Sequence, residues 1–71
     1  MKTGIYEHYK GYRYTVIDTA RHSETEELLV LYRPMYGDET LWVRPFSMFF
    51  ENVEVDGKLI PRFNFIGADD E

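Results

Sequence analysis

The sequence contains two histidines, His8 and His22, and the residue types near them are those of nucleophilic, acid–base and metal chemistry. His22 is followed by Ser23 and Glu24, as in a hydrolytic relay in which a carboxylate orients an imidazole that activates a hydroxyl. Adjacent residues of an extended chain point to opposite sides, so these three cannot form that relay locally. We interpret the stretch as a solvated loop whose hydroxyls bond nearby backbone amides, and predict no catalytic residue.

A metal site is the second chemistry to consider. Two imidazoles and a carboxylate are a minimum ligand set for zinc or iron, and His8 and His22 with Asp18, Glu24 or Asp38 supply it. The two histidines are not at a ligand spacing such as His-x-x-x-His, so we expect a surface and a loop histidine. The chain has no cysteine, which excludes disulfides and thiolate zinc sites. We therefore predict no metal site and no cofactor.

Aromatic rings alternate with cations in the N-terminal third, at Tyr9, Lys10, Tyr12 and Arg13. Such interleaving is typical of surfaces that stack and neutralise single-stranded nucleic acid. The alternative is half-buried tyrosine rings covered by arginine stems. The chain carries a net charge of -5, and its acidic residues are concentrated after His22. This charge argues against binding duplex DNA through its phosphates but leaves a local basic patch open.

The densest apolar stretch runs from Trp42 to Phe50 and includes Arg44. If Leu41 and Val43 point inward, at least one aromatic ring of the stretch must be partly exposed. An exposed ring beside an arginine suits a peptide or partner protein, as in SH3-like grooves. The alternative is a second small core under a helical turn. The candidate ligand-binding residues are His22, Tyr36, Trp42, Arg44 and, as an anion partner, Arg62. We expect a small barrel to bring the three loops that carry polar and aromatic residues to one end.

Short strands must position these residues. Alternation and β-branched or aromatic content predict strands over 12–20, 28–33, 40–44 and 59–66, with Pro61 weakening the last. In the first strand Tyr14, Val16 and Ala20 should share one face. We expect a loop over 21–27, a turn around Gly37-Asp38, a hairpin turn at Asp56-Gly57 and one helical turn over 47–53 capped by Ser47. Residues 66–71 read as a frayed acidic tail.

Four or five short strands separated by regularly spaced turns predict one mostly β domain over residues 1–71. We favour a small SH3-like, five-stranded, partly open barrel with at most one short helical turn. A curled antiparallel sheet with a helical turn across its mouth is the alternative. Aromatic residues, 17% of the chain, would supply its core. No run approaches the ~20 apolar residues of a membrane span and no signal-peptide core is visible, so we expect a cytoplasmic protein.

Several segments together resemble a known bacterial family. They are His8-Tyr9-Lys10-Gly11, Ala20-Arg21-His22-Ser23-Glu24-Thr25, Tyr36-Gly37-Asp38, Trp42-Val43-Arg44-Pro45 with Met48-Phe49, and Pro61-Arg62-Phe63. In this order they are similar to the domain of unknown function 1653. Met35 departs from the leucine expected before Tyr-Gly-Asp, a swap that preserves volume. The resemblance implies a small bacterial domain and assigns no activity or site residue.

Three functions follow as hypotheses. The first is a non-catalytic binding module for a peptide, a protein or a small polar ligand. The second is a module for single-stranded nucleic acid that uses the tyrosine-rich N-terminal third. The third is a small enzyme whose site is shared across a homodimer, which we rank last because the chain offers no complete acid–base–nucleophile set. The sequence leaves monomer and homodimer open.

Overall fold

The computed structural model describes residues 1–37 and 40–68, and strands account for most of them. In chain order the elements are β1 (Gly4–His8), β2 (Arg13–Arg21), β3 (Leu28–Pro34), β4 (Trp42–Pro45), α1 (Phe46–Phe49), β5 (Asn52–Val55), β6 (Lys58–Pro61) and β7 (Phe63–Gly67). Five strands form an antiparallel sheet in the order β4-β3-β2-β1-β7, and β5 pairs with β6 in a separate hairpin. The predicted mostly β fold with one short helix is confirmed, and the five-stranded sheet stays open rather than closing into a barrel.

Strand β1 was not predicted, although it lies between β2 and β7. It begins at Gly4, whose φ of 135° places the backbone against Gly67. Gly4 and Tyr6 are buried, Tyr6 in the core, and the other three residues are half-buried. The strand is short and carries two polar residues in five, so its stability depends on pairing with neighbours on both sides.

A β-bulge at Ile17 changes which side chains of β2 point to each side of the sheet. Val16 pairs with Tyr32 and Asp18 with Leu31, so Ile17 is the extra residue. Beyond it Thr19, opposite Val30, lies on the same side of the sheet as Val16. The prediction that Ala20 shares a face with Val16 is therefore wrong, because strict alternation does not survive an inserted residue.

The C-terminal third confirms one predicted turn and corrects the strand, the tail and the helical turn, which ends at Phe49 and is followed by β5 from Asn52. The Asp56-Gly57 turn is confirmed, with φ of 53° and 79° as a tight hairpin turn requires. The predicted strand over 59–66 is two strands in different sheets, divided at Arg62. Ser47 does not cap the helix: α1 starts after Pro45 without a side-chain cap. Ile66 belongs to β7 instead of a tail, whereas the rest of the predicted tail from 69 on, and Asp38, lie outside the described residues.

The core is aromatic and lies on one side of the five-stranded sheet, which we call the inner face. Helix α1 covers part of it. Phe49 is fully buried and stacks on Phe63 with ring centroids 4.0 Å apart. Side chains of β1, β2, β3 and β7 complete the cluster, which comprises Tyr6, Val16, Val30, Tyr32, Phe49 and Phe63.

Strand β4 presents the opposite faces from those predicted. Trp42 pairs with Tyr32 and Arg44 with Val30, and paired residues of an antiparallel sheet lie on the same face. Trp42 and Arg44 therefore lie on the inner face. Leu41 and Val43 are exposed instead of buried. The register with β3 decides which side chains of β4 lie on the inner face. Alternation within β4 alone does not show which of the two sets points inward. In the part of the chain that the structure describes, no helix is long and apolar enough to cross a membrane.

Candidate functional site

The half of the inner face that α1 leaves uncovered forms a concave site, which we call the aromatic pocket. It has a volume of about 190 Å³ and lies over three strands, β2, β3 and β4. Its walls are Tyr14, Tyr32, Pro34, Trp42 and Arg44. The pocket has no helix or loop of its own: it is the surface of the sheet beside the core.

Strand register brings these five side chains together. Tyr14 of β2 lies opposite Pro34 of β3, and Tyr32 of β3 lies opposite Trp42 of β4. Arg44 is two residues beyond Trp42 on the same face. Since every wall residue is held in a ladder of backbone hydrogen bonds, the pocket is preformed and does not depend on ordering a loop.

The rings of Tyr14 and Tyr32 meet edge to face, with centroids 5.5 Å apart and planes at 73°. The side chain of Arg44 contacts both this tyrosine pair and the core. Its Nε donates a long hydrogen bond of 3.4 Å to the Tyr32 hydroxyl, and its guanidinium carbon lies 5.8 Å from the centroid of the Phe63 ring. A cation over an aromatic face is favourable, so Arg44 is held in place by rings.

Burial raises the pKa of the Tyr14 phenol above its ordinary value, and the neighbouring Tyr32 contributes in the same direction. Arg44 opposes this shift because a cation favours the phenolate. Burial is the larger effect, so Tyr14 is a neutral phenol near pH 7. It can donate a hydrogen bond and cannot serve as a base there.

His8 lies beside the pocket on the inner face, opposite Phe63. Its ring meets that of Phe63 edge to face at 5.0 Å. Burial lowers the pKa of His8, and the charges of Arg44, Arg62 and Lys10 lower it further. Its Nδ1 accepts a hydrogen bond of 3.1 Å from the backbone N–H of Lys10, which leaves the proton of the neutral imidazole on Nε2.

Arg62 is adjacent to the pocket but not part of its wall. Its guanidinium pairs with the Glu51 carboxylate at 3.3 Å, and its backbone bonds both Glu51 and Tyr9. The Nε of Arg62 is buried and has no hydrogen-bond partner within residues 1–37 and 40–68. Arg62 thus links the β1–β2 turn, the end of α1 and the start of β7, and its charge is already countered.

The structure separates His22 from the other predicted ligand-binding residues. His22 begins the β2–β3 loop, and its Nδ1 accepts hydrogen bonds from the amides of Glu24 and Thr25 at 3.1 and 3.3 Å. This end of β3, at Leu28, is about 13 Å along the strand from Tyr32. His22 therefore organises its own loop. The expectation that the loops meet at one end of a barrel does not hold for it, because the sheet is open.

Trp42 and Arg44, both predicted, are the two wall residues from β4. Tyr36 is exposed just after β3, and its nearness contributes to the raised pKa of Tyr14. Sequence reasoning did not name Tyr14 and Tyr32 among the candidate ligand-binding residues. The signal available was chemical: tyrosine at an inward position needs water or a partner for its hydroxyl.

The residues predicted for nucleic-acid binding lie around the β1–β2 turn. Tyr12 is well exposed, and the Lys10 ammonium lies 5.9 Å from the centroid of the Tyr9 ring. Arg13 points to the other side of the sheet and pairs with Glu7 at 3.4 Å. The cluster is thus split between two faces, with one of its two cations neutralised.

No group of three or more histidine, aspartate or glutamate side chains suitable for a metal ion occurs among the described residues. His8 and His22 lie at opposite ends of the β2 strand and its neighbours. Asp38, named as one carboxylate of that hypothesis, lies outside the described residues.

The comparisons with known proteins give a family and a solved relative. The model of a family described as "protein of unknown function (DUF1653)" matches residues 4–65. The crystal structure of a protein of this family from Bordetella bronchiseptica superposes with a TM-score of 0.88 at 30% sequence identity, covering 100% of this chain and 94% of the other. A search of curated proteins found no match.

Proposed function

We propose that this chain, which belongs to the DUF1653 family of proteins of unknown function, is a non-catalytic binding module that takes up part of its ligand in the aromatic pocket. The observation that carries the proposal is the uncovered half of the inner face. There Trp42 is 54% exposed although it lies on the same side of the sheet as the core. The ligand is a peptide, a protein or a small polar molecule in a bacterial cytoplasm.

The composition of the wall supports binding. Ligand sites are concave, lined mainly by apolar and aromatic groups, with a few polar groups that fix orientation. The pocket has this make-up: two tyrosines, a tryptophan and a proline around one arginine. Tryptophan, tyrosine and arginine are also the residue types that contribute most to binding energy. Its walls stand on strands, so little conformational entropy is lost when a ligand binds.

The size of the pocket bounds what enters it. Drug-sized ligands fill roughly 300 Å³ or more, whereas an engineered cavity of about 150 Å³ holds benzene. At about 190 Å³ the pocket accepts one ring, one side chain or one small head group. A larger ligand must lie across the surface and insert only one such group.

The test compares two neighbouring residues on opposite faces of β4. Trp42 and Val43 are 54% and 52% exposed, so Val43→Ala is a control at an apolar side chain of the same fractional exposure, although it removes a smaller group. Amide chemical shifts of the ¹⁵N-labelled protein are followed with defined single-ring fragments and a proline-rich peptide. We expect shifts at the pocket residues in the wild type and Val43→Ala, and their loss in Trp42→Ala.

An oligonucleotide mixture at low salt provides the competing arm of the same experiment. Shifts confined to residues 9–13 that disappear with added salt support the nucleic-acid alternative. Absence of pocket shifts with every fragment and the peptide contradicts the proposed function, as does equal binding by Trp42→Ala.

A further inference from the structure

We infer that the aromatic pocket recognises a small aromatic monocarboxylate, whose carboxylate meets the guanidinium of Arg44 while its ring lies among Trp42, Tyr14 and Tyr32. The inference rests on the proposed function and goes further by assigning the charge and shape of the ligand. It combines three observations: a guanidinium without a carboxylate partner in residues 1–37 and 40–68, tyrosine hydroxyls that can donate hydrogen bonds, and a cavity of single-ring size.

The first observation concerns the charge on Arg44. The protein has thirteen acidic residues and eight basic ones, yet no carboxylate within the described part of the chain lies within ion-pair distance of this guanidinium. Its protein contacts there are the long bond to Tyr32 and the ring of Phe63. A guanidinium has five N–H donors, and the bond to Tyr32 uses one of them.

Other cations reinforce the positive potential on this part of the inner face. The charges of Arg44, Arg62 and Lys10 all act on His8 and lower its pKa. Glu51 counters the charge of Arg62, so Arg44 is the guanidinium best placed to bind an anion. An anion entering the pocket therefore meets a favourable field and one strong partner.

The second observation concerns hydrogen bonding. The hydroxyl of Tyr32 lies 3.4 Å from the Nε of Arg44, and the hydroxyl-bearing ring of Tyr14 lines the same pocket. Both phenols can donate to an oxygen that Arg44 binds. Hydroxyl donors in the same pocket as a guanidinium can add to its charge-assisted hydrogen bonds to an anion.

The geometry favours a carboxylate over a phosphate. The planar guanidinium matches a planar carboxylate with two parallel hydrogen bonds. A phosphate ester carries close to two charges and three acceptor oxygens, and is matched better by several cations. Here a single guanidinium lines a pocket of about 190 Å³ with four apolar or aromatic walls. A ring that bears one carboxylate fills this space and leaves no second charge without a partner.

Benzoate and benzamide are the probes, since they share a ring and differ in charge. In titrations of the wild-type protein at pH 7 and low ionic strength, followed by amide shifts, we expect both to perturb the pocket and benzoate to bind about tenfold more tightly, equivalent to about 1.4 kcal/mol. Added salt should reduce this preference, because screening weakens only the charged contact.

Arg44→Gln and Arg33→Gln are the matched variants. Both remove one positive charge, but Arg33 lies opposite Thr15 on the outer face of the sheet. We expect the benzoate preference to vanish in Arg44→Gln and to persist in Arg33→Gln. A dispersed amide spectrum establishes that each variant is folded. If Arg44→Gln does not fold, the inference is tested by the affinities of the wild-type protein for benzoate and benzamide and by the salt dependence of their ratio.

Each outcome separates this inference from the broader proposal. Equal affinity for benzoate and benzamide at the pocket overturns the monocarboxylate and leaves a binding module. A benzoate preference that survives Arg44→Gln removes Arg44 as the anion partner. Phenyl phosphate binding more tightly than benzoate assigns the site to phosphates instead. Pocket shifts with the proline-rich peptide but with neither ring probe overturn the inference alone.

Discussion

Replacing Phe49 by alanine should bring this protein close to its unfolding threshold. The side chain is fully buried, stacks on Phe63 at 4.0 Å and meets Tyr6, Tyr32 and Phe50 edge to face. Phe→Ala in a core costs roughly 3–5 kcal/mol through lost transfer energy and the cavity that remains. Ring pairs contribute about 0.5–1.5 kcal/mol each beyond buried area, so we expect about 4 kcal/mol.

That loss is large compared with the stability of so short a chain. At 0.05–0.15 kcal/mol per residue, 71 residues are stable by roughly 4–11 kcal/mol. Urea denaturation followed by circular dichroism measures the change in free energy, and a thermal scan should show a midpoint lower by about 15 °C or more.

Phe50→Ala is the control for the same ring one residue later. Phe50 is 36% exposed, so its loss leaves less of a cavity, and we expect less than about 2 kcal/mol. A Phe49→Ala cost below about 2 kcal/mol, or equal costs for the two variants, would refute the view that α1 stabilises the sheet through this one ring.

Two further predictions concern the backbone and pH. Gly4→Ala should lower the free energy of unfolding by about 1–3 kcal/mol, since φ is 135° and an added Cβ would lie 2.5 Å from the Gly67 carbonyl oxygen. Urea denaturation measures the change. Gly67→Ala is the control, because a Cβ added at Gly67 meets open space. The folded protein lowers the pKa of His8 below that of the unfolded chain, mainly through burial and then through Arg44, Arg62 and Lys10. Stability present above about pH 6.5 should therefore be lost as the pH falls through the unfolded and then the folded pKa, and His8→Asn should flatten this part of the pH profile.

The sequence pattern correctly predicted the elements that are determined by residues close together in the chain. Strand β3 is a continuous apolar run ended by proline, and Asp56-Gly57 has the two residue types that the hairpin turn demands. Strand β1 depends on two partners, and nothing in five mixed residues indicates that it lies between them. The division at Arg62 is likewise a tertiary event, because β6 and β7 join different sheets.

Only part of the site was predicted, because strand pairing between distant residues decides which side chains meet there. Trp42 and Arg44 could be singled out by residue type, since a tryptophan beside an arginine is a common binding pair. Which side of the sheet they occupy follows from their pairing with Tyr32 and Val30, which are ten and fourteen residues away in the chain. The sequence argument placed His22 with them through an assumed barrel closure, and an open sheet keeps the two ends apart.

The distribution of phenylalanine and tyrosine connects the core to the pocket. Under α1 the inner face is filled by Phe49 and Phe63, whose rings need no polar partner. Beside the pocket the rings are Tyr14 and Tyr32, whose hydroxyls need one. Tyr6, under the helix, resolves the same requirement with a hydrogen bond of 2.7 Å to the backbone oxygen of Lys2.

A helix of one turn cannot cover the whole sheet, so part of the inner face must stay accessible. Tyrosine and arginine are the residue types that tolerate this boundary, because each combines an apolar body with a polar tip. The same features that let Tyr32 remain buried at 4% exposure beside water also give the pocket its hydrogen-bond donors. Stability and binding therefore share Tyr32, which packs against Phe49 on one side and bonds Arg44 on the other. A ligand that engages Arg44 should consequently stabilise the fold as well as occupy the pocket.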